Sequence, residues 1–169
     1  MTSTDLAFML PAMLPRLSSF ALRISGNRHD AEDLVQQACV RALERTHQLK
    51  PDTVPLSWMF SIVHSGWLNE LRSRKVRGRS RAELDGVEID TIPDPGIGTP
   101  EGSVLYAQVC GAITRLPEAQ RAVMLLVAIE GLSYVEAANI LGVPIGTVMS
   151  RLCRARRVVG TLFYREGRK

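Results

Sequence analysis

The chain has 169 residues, enough for one domain or two small ones, and its 46% hydrophobic and 22% charged content is that of an ordinary globular protein, not of a disordered or collagenous chain. Aromatic residues make up only 5%, so the core is expected to come from Leu, Val, Ile, Ala and Met. The net charge of +4 is modest; it admits nucleic acid as a partner without requiring it, and the distribution of charge has to decide.

Cys39, Cys110 and Cys153 are odd in number, far apart and without C-x-x-C spacing. That argues against a disulfide framework or a zinc site and fits a reducing cytoplasm. Each is expected to pack as a small apolar residue. No apolar run approaches the ~20 residues that cross a bilayer, so no membrane insertion is expected. The N-terminal stretch carries Asp5, Pro11 and Pro15 and does not read as a signal peptide.

From Leu6 to Ile24, apolar residues recur at three and four (Leu6, Met9, Met13, Leu17, Phe20, Ile24), which predicts a helix. Pro11 and Pro15 argue against helix before position 15. Gly26-Asn27 is a stop. Asp30 is placed to cap a second helix that runs to about His47. Its inner face holds Leu34, Val35, Ala38, Ala42 and Leu43. Lys50 to Pro55 reads as a loop. Ser57 is expected to cap a third helix, Trp58 to about Lys75, with Trp58, Ile62 and Leu71 inward.

Composition then changes. Residues 72–81 hold six basic residues (Arg72, Arg74, Lys75, Arg77, Arg79, Arg81), whereas residues 82–101 hold six acids and no Lys or Arg. With Pro93, Pro95 and Pro100, the second stretch reads as a flexible acidic linker. Helical periodicity resumes near Ser103, stops at Leu116-Pro117, and returns from Glu118 to Ile129 before Gly131. No segment alternates well enough to be a strand. The expected fold is all-α: two small helical domains, 1–81 and 103–169, joined by the linker 82–102.

The most specific signal lies at 134–157. Ser133 and Glu136 have the spacing of a capping box. Ala138 allows close approach of a second helix, Gly142 supplies the freedom for a tight turn, and Pro144 suits a helix start. Val148 and Leu152 face the core. This is a helix-turn-helix whose second helix presents Thr147, Ser150, Arg151 and Arg154 to base edges and phosphates of a major groove. Arg151 reads a base or touches phosphate. Arg156 and Arg157, taken as near the helix end, suit phosphate or water. A plain helical hairpin with a solvated basic face would explain the charges but not the joint occurrence of cap, glycine turn and apolar spacing.

The segments Leu116-Pro117-Glu118-Ala119-Gln120-Arg121, Glu130-Gly131-Leu132-Ser133-Tyr134 and Gly146 to Arg156 resemble the minus-thirty-five-reading domain of extracytoplasmic-function RNA polymerase sigma factors. That family usually has Lys where Met149 stands. In the first half, Asp30 to Ala38 resembles the family's core-polymerase-binding helix, and Pro55 to Val63 with Asn69 to Arg77 its minus-ten-melting helix. There the family often has Asn at position 65 and Asp at position 69; this chain has Ser65 and Asn69. The resemblance implies a sigma factor that directs core polymerase to promoter DNA, has no catalytic activity of its own and needs no cofactor. It implies an anti-sigma factor as a further partner. It assigns Asp30, Asp33, Gln36 and Gln37 to core polymerase; for Asp30, as for Glu32, the residues by themselves favour the simpler explanation that acids suit a helix N-terminus. It assigns Arg72, Arg74, Lys75 and Arg77 to DNA, a solvated helix end being the alternative. It places Lys50, Asp52 and Thr53 in the loop that captures a flipped base. Trp58 is expected in the core, and Trp67 stands between core and stacking platform.

Enzymatic readings find little. His29-Asp30-Ala31-Glu32 is a lone H-x-x-E with no second copy for a di-metal site. His47 and His64 have no evident ligand partners. There is no phosphate-binding glycine loop and no G-x-S-x-G. The alternative left open is an operator-binding helix-turn-helix regulator with a helical N-terminal sensor or interaction domain.

Overall fold

The computed structural model describes residues 1–78 and 100–166, of which 100, 101 and 162–166 are described in backbone only. The chain divides into two compact units between Val87 and Glu88, and regular structure among the described residues is entirely helical. No helix among them is long and apolar enough to cross a membrane. The expected linker lies outside the described residues up to position 99, as do Arg79 and Arg81 of the basic run.

The first unit packs α1 (Ser3–Ser25), α2 (Arg28–Glu44) and α3 (Pro55–Val76) against one another. α1 runs through Pro11 and Pro15, which spoke against helix before position 15, and starts at Ser3, three residues ahead of the Leu6 at which the apolar period begins. Both prolines lie on the exposed side, while Leu6, Leu10, Met13 and Leu17 are buried beneath. Burial of that stripe offsets the lost backbone hydrogen bonds. Met9, expected inward, is exposed, and Leu10 takes its place. A capping box joins Thr2 and Asp5 at the start. Gly26, at φ +68°, turns the chain at the end, a conformation that favours glycine.

Asn27, not Asp30, caps α2: its side-chain oxygen accepts from the Asp30 N–H at 3.1 Å. Asp30 therefore stands inside the first turn, with its carboxylate free for another partner. α3 begins at Pro55, ahead of the expected Ser57 cap, and has no side-chain cap; proline at the first helical position suits the start because its missing N–H leaves one fewer unpaired donor there. Its buried line is Met59, Phe60, Val63, His64 and Trp67, not Trp58, Ile62 and Leu71, which are half-buried. This helix is apolar around more than half its circumference, so spacing alone did not single out the packed line. Trp67 is 1% exposed and belongs to the core. The Phe20 and Phe60 rings meet edge-on at 5.0 Å in its centre.

The second unit contains α4 (Pro100–Thr114), α5 (Glu118–Met124), α6 (Tyr134–Leu141) and α7 (Ile145–Glu166). α4 starts at Pro100, so the last three residues of the expected linker are helical. α5 widens into a π-type turn over Leu125–Ile129, where the Glu130 N–H donates to the Leu125 carbonyl at 2.9 Å. Leu132 N–H then donates to Leu126 O at 3.0 Å, closing the end. Ile113, Leu116, Val123, Leu125, Leu126, Ala137, Val148, Leu152 and Ala155 are buried at 0–1% exposure and form one core beneath α7.

Candidate nucleic-acid and partner interfaces

The α6–turn–α7 unit is built by the devices its sequence predicted. Ser133 accepts from the Glu136 N–H at 3.2 Å, and Glu136 accepts from the Ser133 N–H at 2.8 Å. That backbone N–H, and then the Ser133 hydroxyl, hold the Glu136 carboxyl below its ordinary range. Gly142 sits at φ +65°, and Val143 N–H donates to Ala138 O at 3.1 Å across the turn. Pro144 stands one residue ahead of α7, its carbonyl accepting from the N–H of Thr147 and of Val148.

Val148, Leu152, Ala155 and Val159 form the buried line of α7. At about 100° per residue, Ser150, Arg154 and Arg157 point away from it, whereas Thr147 and Arg151 lie to one side. Ser150, Arg154, Arg156 and Arg157 are exposed; Thr147 and Arg151 are half-buried. Among the described residues no carboxylate pairs with Arg151, Arg154, Arg156 or Arg157. Four uncompensated guanidinium groups on one helix are an anion-binding surface. Arg157 is not near the helix end, since α7 continues to Glu166. Cys153, expected to pack inward, is exposed on the same face. Ile145, Gly146 and Met149 are exposed here too; the sequence singled out Met149 only as a departure from the family's usual Lys and gave Ile145 no role. Their signal was negative, an apolar pair four apart that does not share the Val148–Leu152 line.

In the first unit the basic run divides by environment. Arg74 is 19% exposed and donates to Asp30 at 2.6 Å and to Glu70 at 2.8 Å. Its guanidinium lies 5.6 Å from the centre of the Trp67 ring. The bond to Asp30 holds Arg74 protonated even above its already high range. Arg77 shares Glu70 at 3.3 Å. Arg72 donates to Asn69 at 3.1 Å, and neither it nor Lys75, both exposed, has a carboxylate partner among the described residues. Arg72 and Lys75 are thus the open cations, while Arg74 clasps α3 to the start of α2.

Asp33, Gln36 and Gln37 are exposed on α2. Asp33 and Gln37 line a polar cleft of about 330 Å³ between α2 and α3, together with Arg41, Asn69, Glu70 and Ser73. Asp30 reaches the same cleft but is only 18% exposed. Val40, 55% exposed, extends the Asp33–Gln36–Gln37 stripe by one turn. Val40 and Arg41 were legible as one face with Asp33, seven and eight positions on. The α3 side of the cleft was not, because it depends on how the helices cross. Lys50, Asp52 and Thr53 gather at a tight turn before α3, where Thr53 N–H donates to Lys50 O at 3.0 Å; the first two are exposed and Thr53 is half-buried.

This pair of helical units, one with a polar cleft and a basic helix end and the other with a helix-turn-helix, is matched by known proteins. The family model described as sigma-70 region 2 matches residues 10–77, and that of sigma-70 region 4 matches residues 109–158. The chain is 33% identical over 157 residues to the ECF RNA polymerase sigma factor EcfG of Rhodopseudomonas palustris, covering 92% of this chain and 83% of that protein. It is 38% identical over 148 residues to the ECF RNA polymerase sigma factor SigE of Mycolicibacterium smegmatis, covering 84% of this chain and 55% of that one. The solved structure of the sigma factor RpoE in complex with the anti-sigma factor NepR from Bartonella quintana superposes with a TM-score of 0.77 at 26% identity, over 95% of this chain and 97% of that chain. The fold and the paired sites define a sigma-70-type transcription initiation factor. The chain belongs to the ECF RNA polymerase sigma factor family, and its function is that of a sigma factor. Matches across both units favour the sigma factor over the operator-binding regulator with a sensor domain.

Proposed function

We propose that the cleft face of α2 docks core RNA polymerase while α7 reads the upstream promoter element. The observation that carries this is the segregation of surface chemistry. The α2 stripe is polar with one exposed valine, the α7 face is cationic, and both stand exposed among the described residues. Asp33, Gln36 and Gln37 contact the polymerase, and Asp30 acts through Arg74 by holding α2 against α3. Arg154 and Ser150, on the side away from the buried line, meet base edges; Thr147 and Arg151 flank them, with Arg151 and Arg157 on the phosphate backbone. Arg72, Lys75 and Arg77 follow the backbone of the downstream element, and Lys50, Asp52 and Thr53 meet a base flipped from it. Each step is driven by binding energy, so the chain acts without a cofactor and without catalytic groups of its own, in the cytoplasm. Its second partner is an anti-sigma factor, as in the RpoE–NepR complex.

A titration of fluorescently labelled chain with core polymerase tests the docking face. Replacing Asp33 and Gln37 together with Ala is expected to weaken binding at least ~10-fold, the loss of one or two interface hot spots. Both side chains are exposed, so the unfolding midpoint stays unchanged. Unaltered affinity would remove this face from the interface.

A further inference from the structure

The reading face of α7 carries a feature that its basic residues do not explain. Ile145 and Met149 are 45% and 52% exposed. They are four residues apart and hence neighbours on one side of the helix. The opposite side carries Thr147 and Arg151, so polar Ser150 and cationic Arg154 run between an apolar edge and a hydrogen-bonding edge. Gly146 lies beside the apolar pair. A Cβ there would meet nothing within 4 Å, and its φ is not positive. Glycine inside a helix costs about 1 kcal/mol relative to alanine, yet neither packing nor backbone conformation within the chain calls for it. The bare turn leaves room for something outside the chain to approach between Ile145 and Met149. The arginines on the same helix, which have no carboxylate partner among the described residues, set the charge of that occupant as negative. The apolar group that duplex DNA displays in its major groove is the thymine C5-methyl.

We propose that Ile145 and Met149 form an apolar clamp that selects thymine at one or two positions of the upstream element, through its methyl group. The proposal rests on the reading of α7 as the DNA-reading helix. Met149 is suited to the task because an unbranched thioether adapts to an irregular apolar surface, and Ile145 supplies a stiff wall beside it. A cationic side chain at position 149 would reach phosphate instead and would have no means of sensing a methyl group.

The test uses holoenzyme assembled from the full chain and core polymerase. A duplex library randomised over the upstream element is selected for binding, and each thymine of the selected duplex is then replaced in turn by deoxyuridine, which removes only the methyl. At one or two positions the change is expected to weaken binding about fourfold, the value of one buried methyl group. In Met149→Ala and in Ile145→Ala/Met149→Ala proteins that sensitivity disappears, while Ser150 and Arg154 keep their base preferences. Both side chains are exposed, so the fold is preserved. Selection of an element without thymine, uniform indifference to deoxyuridine, or a sensitivity that survives both variants overturns the clamp and leaves α7 as the reading helix. A holoenzyme that selects no upstream sequence at all overturns the DNA-reading role itself, and the clamp with it.

Discussion

Replacing Arg154 with Ala is expected to weaken holoenzyme binding to its preferred upstream element by ~1–3 kcal/mol, roughly 5- to 150-fold, and to relax the preference at one base pair. Arg154 is exposed, has no carboxylate partner among the described residues, and projects from the side of α7 opposite Val148 and Leu152. Its planar fork matches guanine O6 and N7, which Lys does not reproduce, so Arg154→Lys is expected to keep affinity better than specificity. Arg157→Ala should behave otherwise: a loss equal on all sequences, with the salt slope reduced by about one. Titrations on single-base variants at two salt concentrations separate the two. Identical behaviour of both variants would remove Arg154 from base reading.

The second large effect concerns stability, within the basic run. Arg74→Ala is expected to destabilise the first unit by ~1–3 kcal/mol. Breaking a fully buried ion pair costs ~3–5 kcal/mol, and the figure is discounted here because Arg74 and Asp30 are 19% and 18% exposed. The loss combines the bonds to Asp30 and Glu70 with the contact on Trp67. Arg72→Ala leaves stability unchanged and weakens only promoter binding. Both tryptophans of the chain, Trp58 and Trp67, lie in the first unit, so their emission during urea unfolding follows that unit alone. Equal midpoints for wild type and Arg74→Ala, with DNA binding reduced as in Arg72→Ala, would make Arg74 a DNA contact and not a clasp.

These two arginines show how far the sequence could be read. Arg72 and Arg74 are indistinguishable as letters, two basic residues at a helix end. Only the crossing of α2 and α3 brings Asp30 to one of them and leaves the other open. Local devices were legible because they are local: the Ser133–Glu136 box, the Gly142 turn and the Val148–Leu152 line all depend on neighbours within a few residues. The cap of α2 was misplaced by three positions, at Asp30 instead of Asn27, because both residue types cap well. The face of α3 was misread for the opposite reason, too much apolar surface for a single stripe to stand out. The apolar period from Leu6 made α1 legible although Pro11 and Pro15 spoke against its first turns, and burial of Leu6 and Leu10 overrode that local propensity. The cleft between α2 and α3, which joins Asp33 and Gln37 to Asn69 and Glu70, has no sequence signature at all.

The central claim is that this chain confers promoter selection on core polymerase. Purified core polymerase transcribing a genomic promoter library, with and without the chain, tests it most directly. New transcripts are expected that start downstream of one shared upstream element, appear only when the chain is added, and are lost with Asp33→Ala/Gln37→Ala and redistributed with Arg154→Ala. A transcript profile identical in the presence and absence of the chain, with both proteins shown to be folded, would contradict it.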